Sequence, residues 1–331
     1  MKTNATLLGL AIGDALGMPF EFSDTKKIIQ AGWDGSFLGG MWNLKANSFT
    51  DDTKMSLCVA HSLIECGTFD INNVAQKYID WVKSGDLRGI GSTCERSIAN
   101  LASGISPKES GKKNIGRAKP SFKRVSNEPE KTGSEDTDLI GFGNYCGNGV
   151  IMRQSPISIF FKDDPIELER AVKEDATMTH DHPDARDGGF ALCTMIAALA
   201  NGATKLEALE AASKLKYEFD HILRHMKNAV LELSNANNTP TSIGEKLGVR
   251  GTSHETLATA LYCFLKHDNF KDAVIEAVLV SGDTDTRASV VGALAGTFYG
   301  LEGIPEYYVR NVEDSDKLQE LDVKLMRGKT C

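Results

Sequence analysis

The stretch Asp51-Asp52-Thr53-Lys54-Met55-Ser56-Leu57-Cys58-Val59-Ala60-His61-Ser62-Leu63 decides the class of fold. Met55, Cys58, Val59, Ser62 and Leu63 recur at i, i+3, i+4, i+7 and i+8. That is the spacing of one helix face, not the alternation of a strand. Upstream, Leu8, Ile12, Ala15 and Leu16 form a helical stripe, and Gly9, Gly13 and Gly17 form a second row that would let a neighbouring backbone approach closely. Downstream, Asp70 reads as the N-cap of a helix through about Lys83, and Glu95–Leu101 as a short helix.

From Pro165 onward the helical reading is almost continuous. Helices are expected at Ile166–Thr179, Ala185–Ala200, Leu206–Lys216, Phe219–Ser234, Glu255–Leu265, Lys271–Val280, Arg287–Tyr299 and Asp316–Met326. Ile157–Phe161 reads as a strand or a helix turn, and no set of alternating strands stands out. The expected fold class is all-α, a compact many-helix bundle. No Gly/Ser-rich or Pro-rich linker divides residues 1–331, so a single domain is expected. One stretch, 104–138, breaks the pattern with three prolines and a run of Lys and Arg between Lys108 and Arg124. It reads as a solvated, flexible basic insert or as a lid that meets an anionic ligand or an acidic partner.

The chain has 331 residues, 41% hydrophobic and 25% charged, with net charge −8. A pI near 5.5 argues against general nucleic-acid binding. Leu7–Phe20 is interrupted by Asp14 and too short to span a bilayer, so no membrane association is expected. The seven cysteines form no C-x-x-C pair, which points to a reducing, cytoplasmic setting and away from a disulfide framework.

Acids gather at two helix starts: Phe49-Thr50-Asp51-Asp52-Thr53 and Ser281-Gly282-Asp283-Thr284-Asp285-Thr286-Arg287. Either cluster alone could be helix capping. Two such starts meeting in one cleft would form a hard, oxygen-only metal site for Mg²⁺ or Mn²⁺. Four unpaired aspartates would not all ionise, whereas two divalent cations would balance them. Glu21 lies on a loop just past the glycine-rich helix, as a surface acid or a catalytic one. Gly147-Asn148-Gly149 followed by Arg153 is an ordinary turn or a phosphate-facing loop. His180 and His182, before a predicted helix, are candidate ligand contacts, metal ligands or caps.

Taken in order, these blocks resemble the ADP-ribosylglycohydrolase family, which includes the dinitrogenase-reductase-activating glycohydrolase and the ADP-ribosylarginine hydrolases. The matching text is Gly9–Gly17 with Glu21, Phe49–Thr53, Gly147-Asn148-Gly149 with Met152-Arg153, Thr179-His180 and Gly282–Thr286. The resemblance implies an all-α, orthogonally packed fold with a binuclear Mg²⁺ or Mn²⁺ centre. It implies Thr50, Asp51, Asp52, Asp283, Asp285 and Thr286 as metal ligands. It implies Gly147, Asn148, Gly149, Arg153 and His180 as the substrate-binding set, and Glu21, Asp283 or Asp285 as the catalytic carboxylate. The implied reaction hydrolyses mono-ADP-ribose from a modified protein side chain, arginine foremost, releasing ADP-ribose. A use in immunity to an ADP-ribosyltransferase toxin follows from the same chemistry. Two features depart from the family: Gly89 stands where some arginine-cleaving members carry an aspartate, and the basic insert is long. Two other readings compete. One is a protein that binds ADP-ribose or a modified protein without turnover. The other is a His/Asp metal phosphohydrolase built on His180-Asp181, which would leave both acidic clusters unexplained.

Overall fold

The structure, a computed structural model, describes residues 2–39, 41–112 and 146–328. These residues form sixteen α-helices and no strand, as the periodicity predicts. The sequence of elements opens with α1 (Thr6–Gly17), α2 (Thr25–Gln30), α3 (Asp51–Cys66), α4 (Ile71–Lys83) and α5 (Ser92–Ala102). It continues through α6 (Ser155–Phe160), α7 (Pro165–Thr177), α8 (Pro183–Ala200), α9 (Lys205–Ser213), α10 (His221–Glu232) and α11 (Pro240–Leu247). It closes with α12 (Ser253–Lys266), α13 (Phe270–Leu279), α14 (Thr284–Tyr299), α15 (Glu306–Asn311) and α16 (Ser315–Arg327).

The centre is the antiparallel pair α1 and α14. Every residue of α1 is buried, as is α14 from Thr284 to Thr297. The glycine row decides how close they come. A Cβ on Gly9 would lie 2.2 Å from the carbonyl oxygen of Gly292, one on Gly13 1.9 Å from that of Ala288, and one on Gly17 2.4 Å from that of Thr284. No side chain fits between these backbones. The expectation of a close helix approach therefore holds, and α14 supplies Ala288, Gly292 and Gly296 as the matching small face.

The α4 helix shows how local signals suffice at the surface. Asp70 accepts from the amides of Asn72 and Asn73, while Ile71, Val74, Ala75, Tyr78, Ile79, Trp81 and Val82 are buried. Losing such a cap costs about 1 kcal/mol. The α1 helix starts differently, because its cap comes from α16: buried Asp322 accepts from the amides of Leu7 (2.9 Å) and Leu8 (3.0 Å). The short helices α2, α11 and α15 were not legible in the sequence, and 157–161 is helical within and just after α6. Of the basic insert, 113–138 lies outside the described residues. Its beginning is packed down: Ser110 is buried and donates to the Met178 carbonyl, and the Gly111 amide donates to that of Thr177. Among the described residues no helix is long and apolar enough to cross a membrane.

Candidate active site

The first acidic cluster is held by a residue from outside it. Thr50, at the start of α3, makes no capping bond with its own side chain. Asp14 of α1, fully buried, takes that place. It accepts from the amides of Thr50 (2.9 Å) and Thr53 (3.1 Å) and from their hydroxyls at 2.8 and 2.6 Å. The first amides of a helix need such an acceptor. Burial pushes the Asp14 carboxyl up to about 6, against the pull of these hydrogen bonds. Sequence reasoning missed Asp14 as a site residue. The available signal was an acid in an otherwise apolar, glycine-bearing helix.

The second cluster sits on a left-handed turn, with φ of 73° at Ser281 and 77° at Gly282. Gly282 cannot carry a side chain, since a Cβ would meet the Val249 carbonyl oxygen at 2.2 Å. Buried Arg287 braces the turn by donating to the carbonyls of Ser281 (2.6 Å) and Ala277 (3.2 Å). The α1 end is tied in as well: Thr284 Oγ1 donates to the Gly17 carbonyl at 2.8 Å, and the Phe22 amide to that of Gly282 at 2.7 Å. Glu21, between these two ties, bears on the charge of Asp285.

The two clusters meet. Thr286 Oγ1 lies 3.3 Å from Asp52 Oδ2, and Ser289 Oγ donates to Asp52 Oδ1 at 2.7 Å. Ser289 was not anticipated, and no motif marks it. Burial, then the neighbouring charges of Asp14 and Asp283, pushes Asp51 up to about 7, although the Gly91 amide pulls the other way. Asp52 is raised well above the usual carboxylate range by burial and by Asp14, Asp51 and Asp283. Asp285 is raised likewise by burial and by Glu21, Asp283 and Asp52. Buried carboxylates and hydroxyls that repel one another across two helix starts are a donor set for hard divalent cations. The residues present therefore fit the ions that the resemblance implies.

The glycine loop joins this cluster directly. Asn148 Nδ2 donates to Asp283 Oδ2 at 2.8 Å and to Thr256 Oγ1 at 3.0 Å. The loop is pinned to the start of α12 by the Asn148 amide on the Gly251 carbonyl (3.0 Å) and by Ser253 Oγ on the Gly147 carbonyl (2.9 Å). Gly149 lies against His180, and a Cβ there would come 2.7 Å from the ring carbon Cε1. His180 is buried, and burial followed by the charge of Arg153 lowers its pKa to about 3. Thr179 Oγ1 accepts from Arg153 Nη1 at 2.6 Å and is hydrogen-bonded to His180 Nδ1 at 2.9 Å. The lowered pKa makes His180 a neutral imidazole.

Arg153 itself requires a correction. It was expected to touch substrate, yet it is fully buried and spends its donors inside the protein. Nε pairs with Asp175 Oδ2 at 3.0 Å, Nη1 also donates to the Gly149 carbonyl at 2.7 Å, and Nη2 to the Asp175 carbonyl at 2.9 Å. It is a positioning residue for Gly149, Thr179 and His180. Gly89 adopts φ +84°, and a Cβ there would stand 3.1 Å from Asp51 Oδ1. The position that departs from the arginine-cleaving pattern thus borders the acidic cluster. His182 Nδ1 accepts from the Asp184 amide as the cap of α8, and Asp181 pairs with Arg186.

Similarity to known proteins runs along almost the whole chain. The chain is 28% identical over 326 residues to the ADP-ribosyl-[dinitrogen reductase] glycohydrolase of Rhodospirillum rubrum, covering 97% of this chain and 90% of that one. It is 28% identical over 329 residues to the ADP-ribosylarginine hydrolase Tri1 of Pseudomonas putida strain GB-1, covering 98% and 77%. A solved structure described as an ADP-ribosylglycohydrolase-related protein complex matches with a TM-score of 0.74 at 26% identity, covering 98% of this chain and 97% of that one. The ADP-ribosylglycohydrolase family profile matches residues 2–330, and the chain belongs to that family.

Proposed function

We propose that this protein is a divalent-metal-dependent hydrolase that removes mono-ADP-ribose from modified protein side chains, with arginine as the acceptor. The observation that carries the reading is the Asn148 amide on Asp283, which joins the glycine loop to the acidic cluster in one cleft. Thr50, Asp51, Asp52, Asp283, Asp285 and Thr286 are the residues that would hold Mg²⁺ or Mn²⁺. When bound, such ions supply charge balance and polarise water and ribose hydroxyls.

The chain's own residues divide the remaining work. Gly147 and Gly149 offer bare backbone to the ribose and diphosphate, and neutral His180 lies beside Gly149. A carboxylate of Glu21, Asp283 or Asp285 takes a proton from the attacking water. The water oxygen bonds to C1 of the distal ribose as the C1–N bond to the acceptor breaks, and the departing guanidine keeps the electron pair and takes up a proton. Carboxylates close to C1 stabilise the positive charge that develops there.

The experiment is release of ADP-ribose from arginine-linked and serine-linked ADP-ribosylated proteins in Mg²⁺, in Mn²⁺ and in chelator. Release should stop with chelator and fall by more than about a hundredfold in Asp52→Asn and Asp285→Asn. Release that is indifferent to chelator and to both substitutions refutes the metal-dependent reading. Tight ADP-ribose binding with no release from either linkage would instead identify a binding protein.

A further inference from the structure

A second cluster of metal-ligating side chains joins the starts of α8 and α12 to α10. Asp184, in the first turn of α8, is buried, and its Oδ2 is 2.9 Å from His221 Nδ1 and 3.2 Å from His254 Nδ1. One ligand atom from each of the three lies within 4.8 Å of the other two. Tetrahedral zinc with bonds of about 2.0–2.1 Å separates its ligand atoms by about 3.3 Å, close to the two distances already present. His225 follows His221 by four residues on the same face of α10. Its ring centroid stands 5.3 Å from that of His221 and 4.6 Å from that of His254. Imidazoles from α10 and α12 thus meet one carboxylate of α8, with the His225 ring against both. Such a set of nitrogens and one oxygen suits borderline transition metals, whereas the oxygen-only cluster suits Mg²⁺ or Mn²⁺.

We propose that Asp184, His221 and His254, with His225 as the adjacent fourth donor, form a transition-metal site of the zinc class, separate from the acidic cluster. The site ties the starts of α8 and α12 to α10. Those two starts adjoin the candidate site: α8 follows His180, and α12 begins with Ser253, which holds Gly147, and continues to Thr256, which holds Asn148.

The test uses the untagged, chelator-stripped full chain in saturating Mg²⁺, which occupies the oxygen donors. Co²⁺ is titrated in and visible absorption is followed. The expected result is a strong tetrahedral Co²⁺ band that saturates at one equivalent and is abolished by one equivalent of Zn²⁺. His221→Ala and His254→Ala should each weaken Co²⁺ binding by more than about a hundredfold while keeping the wild-type far-UV circular dichroism. Zn²⁺ should raise the unfolding temperature of the wild type and leave that of the variants unchanged. A wild-type spectrum with only the weak octahedral absorption overturns the proposal whether or not the variants fold. So does equal Co²⁺ affinity in wild type and folded variants.

Discussion

Gly13→Ala tests whether backbone contact between α1 and α14 sets the geometry of the cleft. In an ordinary helix position this change stabilises by about 0.5–1 kcal/mol, because alanine loses less backbone entropy on folding. Here the new Cβ would lie 1.9 Å from the Ala288 carbonyl oxygen, 2.4 Å from its carbon and 2.9 Å from the Ser289 nitrogen. A carbon and an oxygen settle at about 3.4 Å, so the helices must part by about 1.5 Å. The neighbours are all backbone, and none can rotate away. Overpacking of this kind costs about 1–3 kcal/mol, and the upper end applies when no side chain can yield. The net expectation is a loss of about 2 kcal/mol, which for a chain of this length lowers the unfolding midpoint by about 3 °C. Asp285 rides on α14 while Asp14 and Glu21 ride on or beside α1, so the same shift should reduce Mg²⁺-dependent release of ADP-ribose. Urea and thermal unfolding, with the release assay, check this. A Gly13→Ala protein as stable as wild type, or more so, would refute the close-contact argument.

Three further outcomes are expected. Arg153→Met leaves Asp175, itself fully buried, without its cation and should cost about 3–5 kcal/mol in urea unfolding, with partial recovery when Asp175→Leu is added; a loss below about 1 kcal/mol would show that the pair is not needed. Burial raises Asp322 to about 7 from an ordinary 3.8, so the stability tied to its protonated form is full below about pH 4 and fades as pH rises through 7. Asp322→Asn should therefore close on wild type by up to about 2.5 kcal/mol between pH 5 and pH 8, measured as the difference in unfolding free energy; a gap that stays constant or widens contradicts the assignment. Gly89→Asp sets another carboxylate beside Asp51, so the variant should be less stable than wild type in chelator and gain more in unfolding temperature on addition of Mg²⁺; an equal gain in both proteins would separate position 89 from the cation site.

The sequence alone determined the all-α class, most helix positions and the family, because these rest on short-range signals. Helical spacing after Asp52, the Asp70 cap and the glycine row each occupy one segment, and the ordered motifs persist whatever they touch. The short helices α2, α11 and α15 escaped because six to eight residues hold too little periodicity. The partners of each motif depended on the tertiary fold. Asp14 caps a helix 36 residues away, Asn148 reaches Asp283 across 135, and Thr284 grips the Gly17 carbonyl across 267. Arg153 could face substrate or core on its local sequence, and only the placement of buried Asp175 and Thr179 makes it a strut. His221, His225 and His254 carry no motif between them, and packing alone brings their rings together and sets two of them on Asp184. The physical reason is that charge balance, desolvation and hydrogen-bond satisfaction depend on separation in space, which a linear chain states only after its helices have packed.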